Sequence, residues 1–185
     1  MAELIRVPEA EIPEWVERLR PVYLRAYDEE PYHYTEEDAD EFVERMGAQL
    51  AHPHFRLVLA MEGDDVAGFS YGYRFPTEAW WRGARTPAPE AVAAGTKYAV
   101  IEIVVDRPFR GRGIAKRLMD ELLAGQVEEW GVLLAKPGAL AHGMYQRWGW
   151  KIVGEVQSYP HWPVDDAFAI DLSDHIIDSR HQEEA

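Results

Sequence analysis

Helical stripes and short strand-like runs follow one another along this chain. Residues 4–7 read as a first strand. A helix then starts near Pro13, where a missing N–H is tolerated in a first turn. Val16, Leu19, Val22, Tyr23 and Ala26 recur at helical spacing behind it, with Pro21 placed to kink it. Thr35 ahead of Asp38, with Glu36 and Glu37 near the positive end of the helix dipole, marks a second helix start. Its buried stripe is Phe42, Val43, Met46 and Leu50, while Glu37, Glu41 and Glu44 face outwards. The acidic run 36–41 therefore reads as a solvated face.

Residues 55–61 and 66–73 are rich in strand formers and flank Glu62-Gly63-Asp64-Asp65, a hairpin turn between two antiparallel strands. From Phe75 to Lys97 the pattern is irregular, with Pro76, Trp80, Trp81, Pro87 and Pro89, and it is longer than a usual connector. Residues 98–105 form a further strand. Residues 111–126 predict an amphipathic helix with Ile114, Ala115, Leu118, Met119, Leu122 and Leu123 on one side, closed by Gly125. A strand at 132–135, a short helix at 140–148 and strands at 152–158 and 167–172 complete the pattern. There is no internal repeat and no compositional break, so residues 1–172 read as a single mixed α/β domain followed by a polar tail, 173–185.

Composition narrows the classes. The chain has 185 residues and 47% hydrophobic content, enough for one sizeable core. No apolar run approaches the roughly 20 residues that span a bilayer. The start lacks the basic and apolar segments of a secretory signal. A cytoplasmic protein with no membrane partner is the expectation. With no cysteine, disulfides, thiolate metal sites and a cysteine nucleophile are excluded together. A net charge of -14 argues against nucleic acid, which needs Lys and Arg to neutralise phosphates. It suits a cationic partner, or simply solubility.

The segment that carries chemistry is Glu102-Ile103-Val104-Val105-Asp106-Arg107-Pro108-Phe109-Arg110-Gly111-Arg112-Gly113-Ile114-Ala115. A strand leads through a proline-bearing turn into a glycine-rich helix start, where first-turn N–H groups lack helical partners and the dipole adds positive charge. Gly111 and Gly113 let backbone approach phosphate oxygens, and Arg110 and Arg112 offer cationic donors. There is neither a P-loop Gly-Lys-Ser/Thr nor a dinucleotide Gly-x-Gly-x-x-Gly after a strand.

Arg110-x-x-Gly113-x-Ala115 resembles the Gln/Arg-x-x-Gly-x-Gly/Ala signature of the GNAT superfamily of N-acetyltransferases, which lies between the fourth strand and the long central helix. Ala141-His142-Gly143-Met144-Tyr145-Gln146-Arg147-Trp148-Gly149-Trp150 resembles that family's later Ala-x-x-x-Tyr-x-x-x-Gly-Phe helix. One position departs: many members carry Asn seven residues before the tyrosine, where this chain has Gly138.

The resemblance implies a mixed, mostly antiparallel sheet of about six to seven strands, splayed after the fourth, with helices on both faces. It implies acetyl-CoA as cosubstrate, with no metal. Backbone near Ile103, Val104 and Val105 would pair with pantetheine like an added strand, and Arg110, Gly111, Arg112, Gly113, Ile114 and Ala115 would hold the pyrophosphate. The reaction implied is direct attack of an amine on the thioester in a ternary complex. Tyr145 aligns with the family's acid for the leaving thiolate. Glu102, interrupting an apolar strand, stands where members place a base, although a structurally paired carboxylate fits the position equally. An oxyanion donor would be a backbone N–H near Val104 or Val105.

For the acceptor, Glu30, Tyr32, Tyr71, Tyr73, Trp80, Trp81 and His161 combine carboxylate and aromatic faces suited to an ammonium group. The bland alternative for each aromatic is packing. The other histidines, His33, His52, His54, His142, His175 and His181, show no metal-ligand spacing. A small cationic amine is the expected acceptor. A protein or peptide acceptor, or a non-catalytic acyl-CoA binding or sensing module, stays open, as does a homodimer contact through the Trp-rich segments.

Overall fold

The computed structural model describes residues 1–173. The rest of the polar tail, with His175 and His181, lies outside the described residues. In chain order the elements are β1 (Glu3–Arg6), α1 (Ile12–Tyr27), α2 (Glu36–Gln49), β2 (Arg56–Glu62), β3 (Asp65–Phe75), α3 (Glu90–Ala94) and β4 (Lys97–Val105), then α4 (Ile114–Leu123), β5 (Trp130–Ala135), α5 (Leu140–Arg147), β6 (Lys151–Val156) and β7 (Asp165–Asp171). The strands form one seven-stranded sheet in the order β1-β2-β3-β4-β5-β7-β6, with helices on both faces. This is the mixed, mostly antiparallel fold expected. The parallel pair, β4 with β5, has three rungs, Lys97 with Trp130 to Ala99 with Val132, and the pairing stops there. That is the splay expected after the fourth strand. No helix among the described residues is long and apolar enough to cross a membrane.

The chain gathers into two compact units. The first comprises Met1–Tyr73 and Ile101–Leu123. Val16, Leu19, Val22 and Tyr23 of α1 and Phe42 and Met46 of α2 bury their stripes against Leu57, Leu59, Phe69, Tyr71 and Val104. A capping box starts α2: Thr35 Oγ1 accepts from the Asp38 N–H, and the Asp38 carboxylate accepts from the Thr35 N–H at 2.7 Å. The hairpin between β2 and β3 closes at Glu62 opposite Asp65. Pro21 lies within α1 without ending it.

Strands β3, β5, β6 and β7 depart from the expected spans by up to two residues, and two larger differences have a clear cause. The helix read over 111–126 is α4, Ile114–Leu123, because Gly111 and Gly113 have φ of +75° and +73°, outside helical space. In the second unit, Arg74–Val100 with the chain from Ala124 on, the irregular segment contains α3, too short to show a periodic stripe. Lys97, expected at the end of the irregular segment, opens β4 and is fully buried. Its ammonium donates to the carbonyls of Thr77 (2.7 Å), Val92 (3.1 Å), Ala93 (3.3 Å) and Gly95 (2.9 Å), closing the C-terminal end of α3. Burial holds its pKa below the usual lysine value.

Gly68 sets how near β3 comes to the strand that leads into the candidate site. A Cβ there would stand 2.5 Å from the Val104 carbonyl oxygen and 3.3 Å from Leu118 Cδ1. Gly68→Ala is expected to destabilise the protein by about 1–3 kcal/mol, read as a lower urea midpoint. An unchanged midpoint would contradict this close approach.

Candidate active site

Below β4 the chain makes a tight turn whose shape is set by one buried carboxylate. Asp106, with a side chain 5% exposed, accepts from the guanidinium of Arg25 at 2.7 Å and from the Arg107 N–H at 2.8 Å. Its own N–H donates to the Ala67 carbonyl at 3.0 Å. A single 3-10 turn, Arg107–Phe109, follows with Pro108 in its first positions. Arg110 then turns back: Nε donates to Val105 O (3.1 Å), Nη2 to Ala26 O at the end of α1 (2.7 Å), and Nη1 pairs with Glu29. Arg107 pairs with Asp28 and, at 3.1 Å, with Glu29.

These contacts separate two arginines that look alike in sequence. All three nitrogens of the Arg110 guanidinium are engaged, so this side chain ties the turn to the end of α1. Arg112 is looser. Its guanidinium donates to Pro108 O at 3.0 Å, lies 5.5 Å from the Phe109 ring and is about half exposed. The acidic pair Asp28 and Glu29 is occupied by the turn, whereas Glu30 stays exposed, 3.9 Å from His33.

Beyond Arg112, Gly113 caps α4, and the first helical bond runs from the Arg117 N–H to Gly113 O at 3.2 Å. The N–H groups of Ile114, Ala115 and Lys116 precede it and have no carbonyl within the helix. No atom lies within 4 Å of the point where a Cβ on Gly111 or Gly113 would stand. Exposed backbone, positive dipole and free space fit a pyrophosphate. Ile103, Val104 and Val105 lead directly into this turn, with Val104 buried.

Glu102, earlier on β4, has a side chain 14% exposed. Arg45 Nη2 donates to its Oε1 at 3.3 Å, and the Tyr27 hydroxyl to its Oε2 at 3.4 Å. Burial raises the carboxyl pKa above the ordinary glutamate value, and Arg45 and Tyr27 pull it back. Around it the rings of Tyr23, Tyr27, Tyr32 and Tyr34 touch one another at centroid distances from 4.8 to 5.8 Å. Burial raises the phenol pKa of Tyr23 and Tyr34.

In the second unit Tyr145 lies on α5, nearly buried, its ring centroid 5.8 Å from Trp148, 6.0 Å from Phe168 and 6.3 Å from Trp150. One turn earlier, His142 Nε2 is 2.7 Å from the Asp166 carboxylate. Gly138, at φ +82°, precedes the helix. Among the described residues no cluster of three metal-ligating side chains occurs.

The sequence profile of the Acetyltransferase (GNAT) family matches residues 12–150. The chain belongs to this family. It is therefore an acetyltransferase, an enzyme that moves acyl groups. In structure it is similar to aminoglycoside 6'-acetyltransferase type Ii (17% identity, TM-score 0.64, covering 92% of this chain and 97% of that one). It is also similar to histone acetyltransferase HPA2 and related acetyltransferase from Corynebacterium glutamicum (15%, 0.61, 91% and 94%). A third is the PaiA N-acetyltransferase of Thermoplasma acidophilum, solved in complex with coenzyme A (11%, 0.59, 92% and 99%). At such identities the likeness shows the fold. A search of curated proteins finds no match.

The remaining candidates of this GNAT acetyltransferase divide by unit. Glu102, Tyr32 and the turn from Arg110 to Ala115 lie in the first unit, and Tyr145, Trp80, Trp81 and His161 in the second. Tyr71 is fully buried, its hydroxyl donating to Gln49 at 3.0 Å, so it packs the core instead of presenting a face to an acceptor. Tyr73 is nearly as buried and stacks on His52 at 4.1 Å. Trp81 packs edge-on against Phe75 at 4.6 Å, with Trp80 beside it at 6.3 Å. His161 is exposed in a turn held by Gln157 through the carbonyls of Pro160 (3.2 Å) and Trp162 (2.8 Å). Sequence reading missed Arg45. Its one legible signal is a cation beside the buried stripe of α2, three residues from Phe42.

Gly113→Val puts a branched side chain at positive φ into the free space above α4. The expected result is at least about tenfold weaker CoA binding by isothermal titration, roughly 1.4 kcal/mol. Equal affinity would contradict a pyrophosphate seat here.

Proposed function

We propose that this enzyme transfers the acetyl group of acetyl-CoA to a primary amine of a small cationic molecule, by direct attack in a ternary complex. The observation that carries the reading is the Glu102 carboxylate, nearly enclosed by Arg45 and tyrosine rings on the strand that runs into the open turn. A carboxylate beside aromatic rings suits an ammonium group, and the net charge of -14 favours a cationic partner.

Acetyl-CoA, when bound, supplies an activated thioester. Gly111, Gly113 and the first N–H groups of α4 would hold its pyrophosphate, with Arg112, about half exposed and held by Pro108 O and, at 3.9 Å, Glu62, as the cation nearest to it in the chain. The backbone of Ile103 to Val105 would align its pantetheine arm. Glu102 accepts a proton from the acceptor ammonium, leaving the electron pair on nitrogen for attack. The Tyr145 hydroxyl gives its proton to the departing sulfur, a task a phenol performs from its neutral form.

The test is thiol release from acetyl-CoA with a panel of spermidine, kanamycin, an amino-acid amide and a lysine peptide, run on the parent and on Tyr145→Phe. The parent is expected to turn over a free amine, and the variant to be slower by roughly 100-fold with an unchanged melting temperature. A variant as fast as the parent would remove Tyr145 from the mechanism. Stabilisation by CoA without thiol release from any amine would favour the binding-only reading.

A further inference from the structure

Arg45 has an exposed carboxylate neighbour on its own helix, Glu41, one turn earlier, where a surface pair forms readily. Its ion pair instead points inward, to Glu102 on β4 at 3.3 Å. The same guanidinium nitrogen lies 3.4 Å from the Tyr23 hydroxyl. Arg45 keeps 32% of its side chain exposed and Glu102 14%, so the pair sits at the edge of the core with one side open. A buried carboxylate without a partner is protonated rather than charged. A protonated Glu102 could not accept a proton from an amine.

We infer that Arg45 is the positioning residue of this site, its guanidinium holding the Glu102 carboxylate in place and in the charged form that accepts the amine proton. The inference rests on the reading of Glu102 as the base. The step moves one proton: an N–H bond of the acceptor ammonium breaks, an O–H bond forms on Glu102, and the electron pair stays on nitrogen.

Every titratable group facing Glu102 bears on this. From α1 come Tyr23 and Tyr27, from the segment before α2 Tyr32 and Tyr34, from α2 Arg45, and from β3 Tyr71. Burial raises the pKa of Tyr23, Tyr34 and Tyr71, so these phenols remain neutral through the working range. Glu102 is raised by burial, and Arg45 is the first influence that opposes it, followed by the Tyr27 hydroxyl. Removing the guanidinium raises Glu102 further, and its ionised form is then reached only at higher pH. Removing the Tyr27 hydroxyl acts in the same direction and more weakly.

Two readouts test this on the full-length protein. Carboxyl-carbon NMR follows the titration of Glu102 directly, and kcat/KM against pH follows its effect with the fastest amine of the panel. Arg45→Gln is expected to move the Glu102 midpoint and the acid limb upward by about one pH unit or more, a roughly tenfold loss of kcat/KM on that limb. Arg45→Lys should restore part of the shift, and Tyr27→Phe should give a smaller one. If Arg45→Gln lowers kcat/KM equally at every pH with the midpoint unmoved, Arg45 is only structural and the inference is overturned while Glu102 stands as base. If Glu102→Gln keeps the parental rate and acid limb, the base reading itself fails and the inference with it. Should Arg45→Gln not fold, Arg45→Ala, which suits a helix and also removes the cation, takes its place, and a stationary midpoint there overturns the inference.

Discussion

The hydrogen bonds of the Asp106 carboxylate are the constraint on which the candidate site depends. A carboxylate with this little exposure is stable as an anion only when its oxygens are occupied, and Arg25 and the Arg107 N–H occupy them. That arrangement ends β4, starts the 3-10 turn and aims the chain at Gly111 and Gly113. Arg107 and Arg110 reinforce it through Asp28 and Glu29, so the end of α1 and the turn are joined by charges of both signs. What remains above the turn is open backbone. An anion seated there would meet N–H groups and the positive end of the helix dipole, although the chain as a whole is strongly acidic.

A second buried charge, that of Glu102, stands three residues earlier on β4 than Val105, where the turn begins. It is treated differently. Its partners are longer, at 3.3 and 3.4 Å, and partial exposure leaves it able to exchange a proton. Asp106 is tightly bound and fixes geometry, whereas Glu102, with its longer contacts, is the carboxylate proposed as the base. The two carboxylates stand four residues apart, Glu102 on β4 and Asp106 just past its end.

What sequence revealed and what it hid follow from range. The capping box at Thr35, the hairpin at Gly63 and the helix start after Gly113 are local, and their residue types declare them. The family signature is local too. Hidden were pairs made at a distance: Arg45 with Glu102 is 57 residues apart, and Arg110 with Glu29 is 81. A charge pattern shows that such residues exist and gives no sign of whom they meet. The burial of Lys97 was hidden for a related reason, since three of its four carbonyl partners lie in or cap a five-residue helix with no period to detect. Tyr71 misled because an aromatic on a strand looks the same whether it faces a ligand or a core.

In the proposed complex the N-terminal amides of α4 and the glycine turn before it hold the pyrophosphate of acetyl-CoA. Amide hydrogen exchange at Gly111 to Ala115, compared with and without CoA, addresses those groups directly. CoA is expected to slow exchange at these amides and to leave the solvent-exposed face of α2 unaffected. Identical exchange in both states, in a protein that still binds CoA, would contradict this placement.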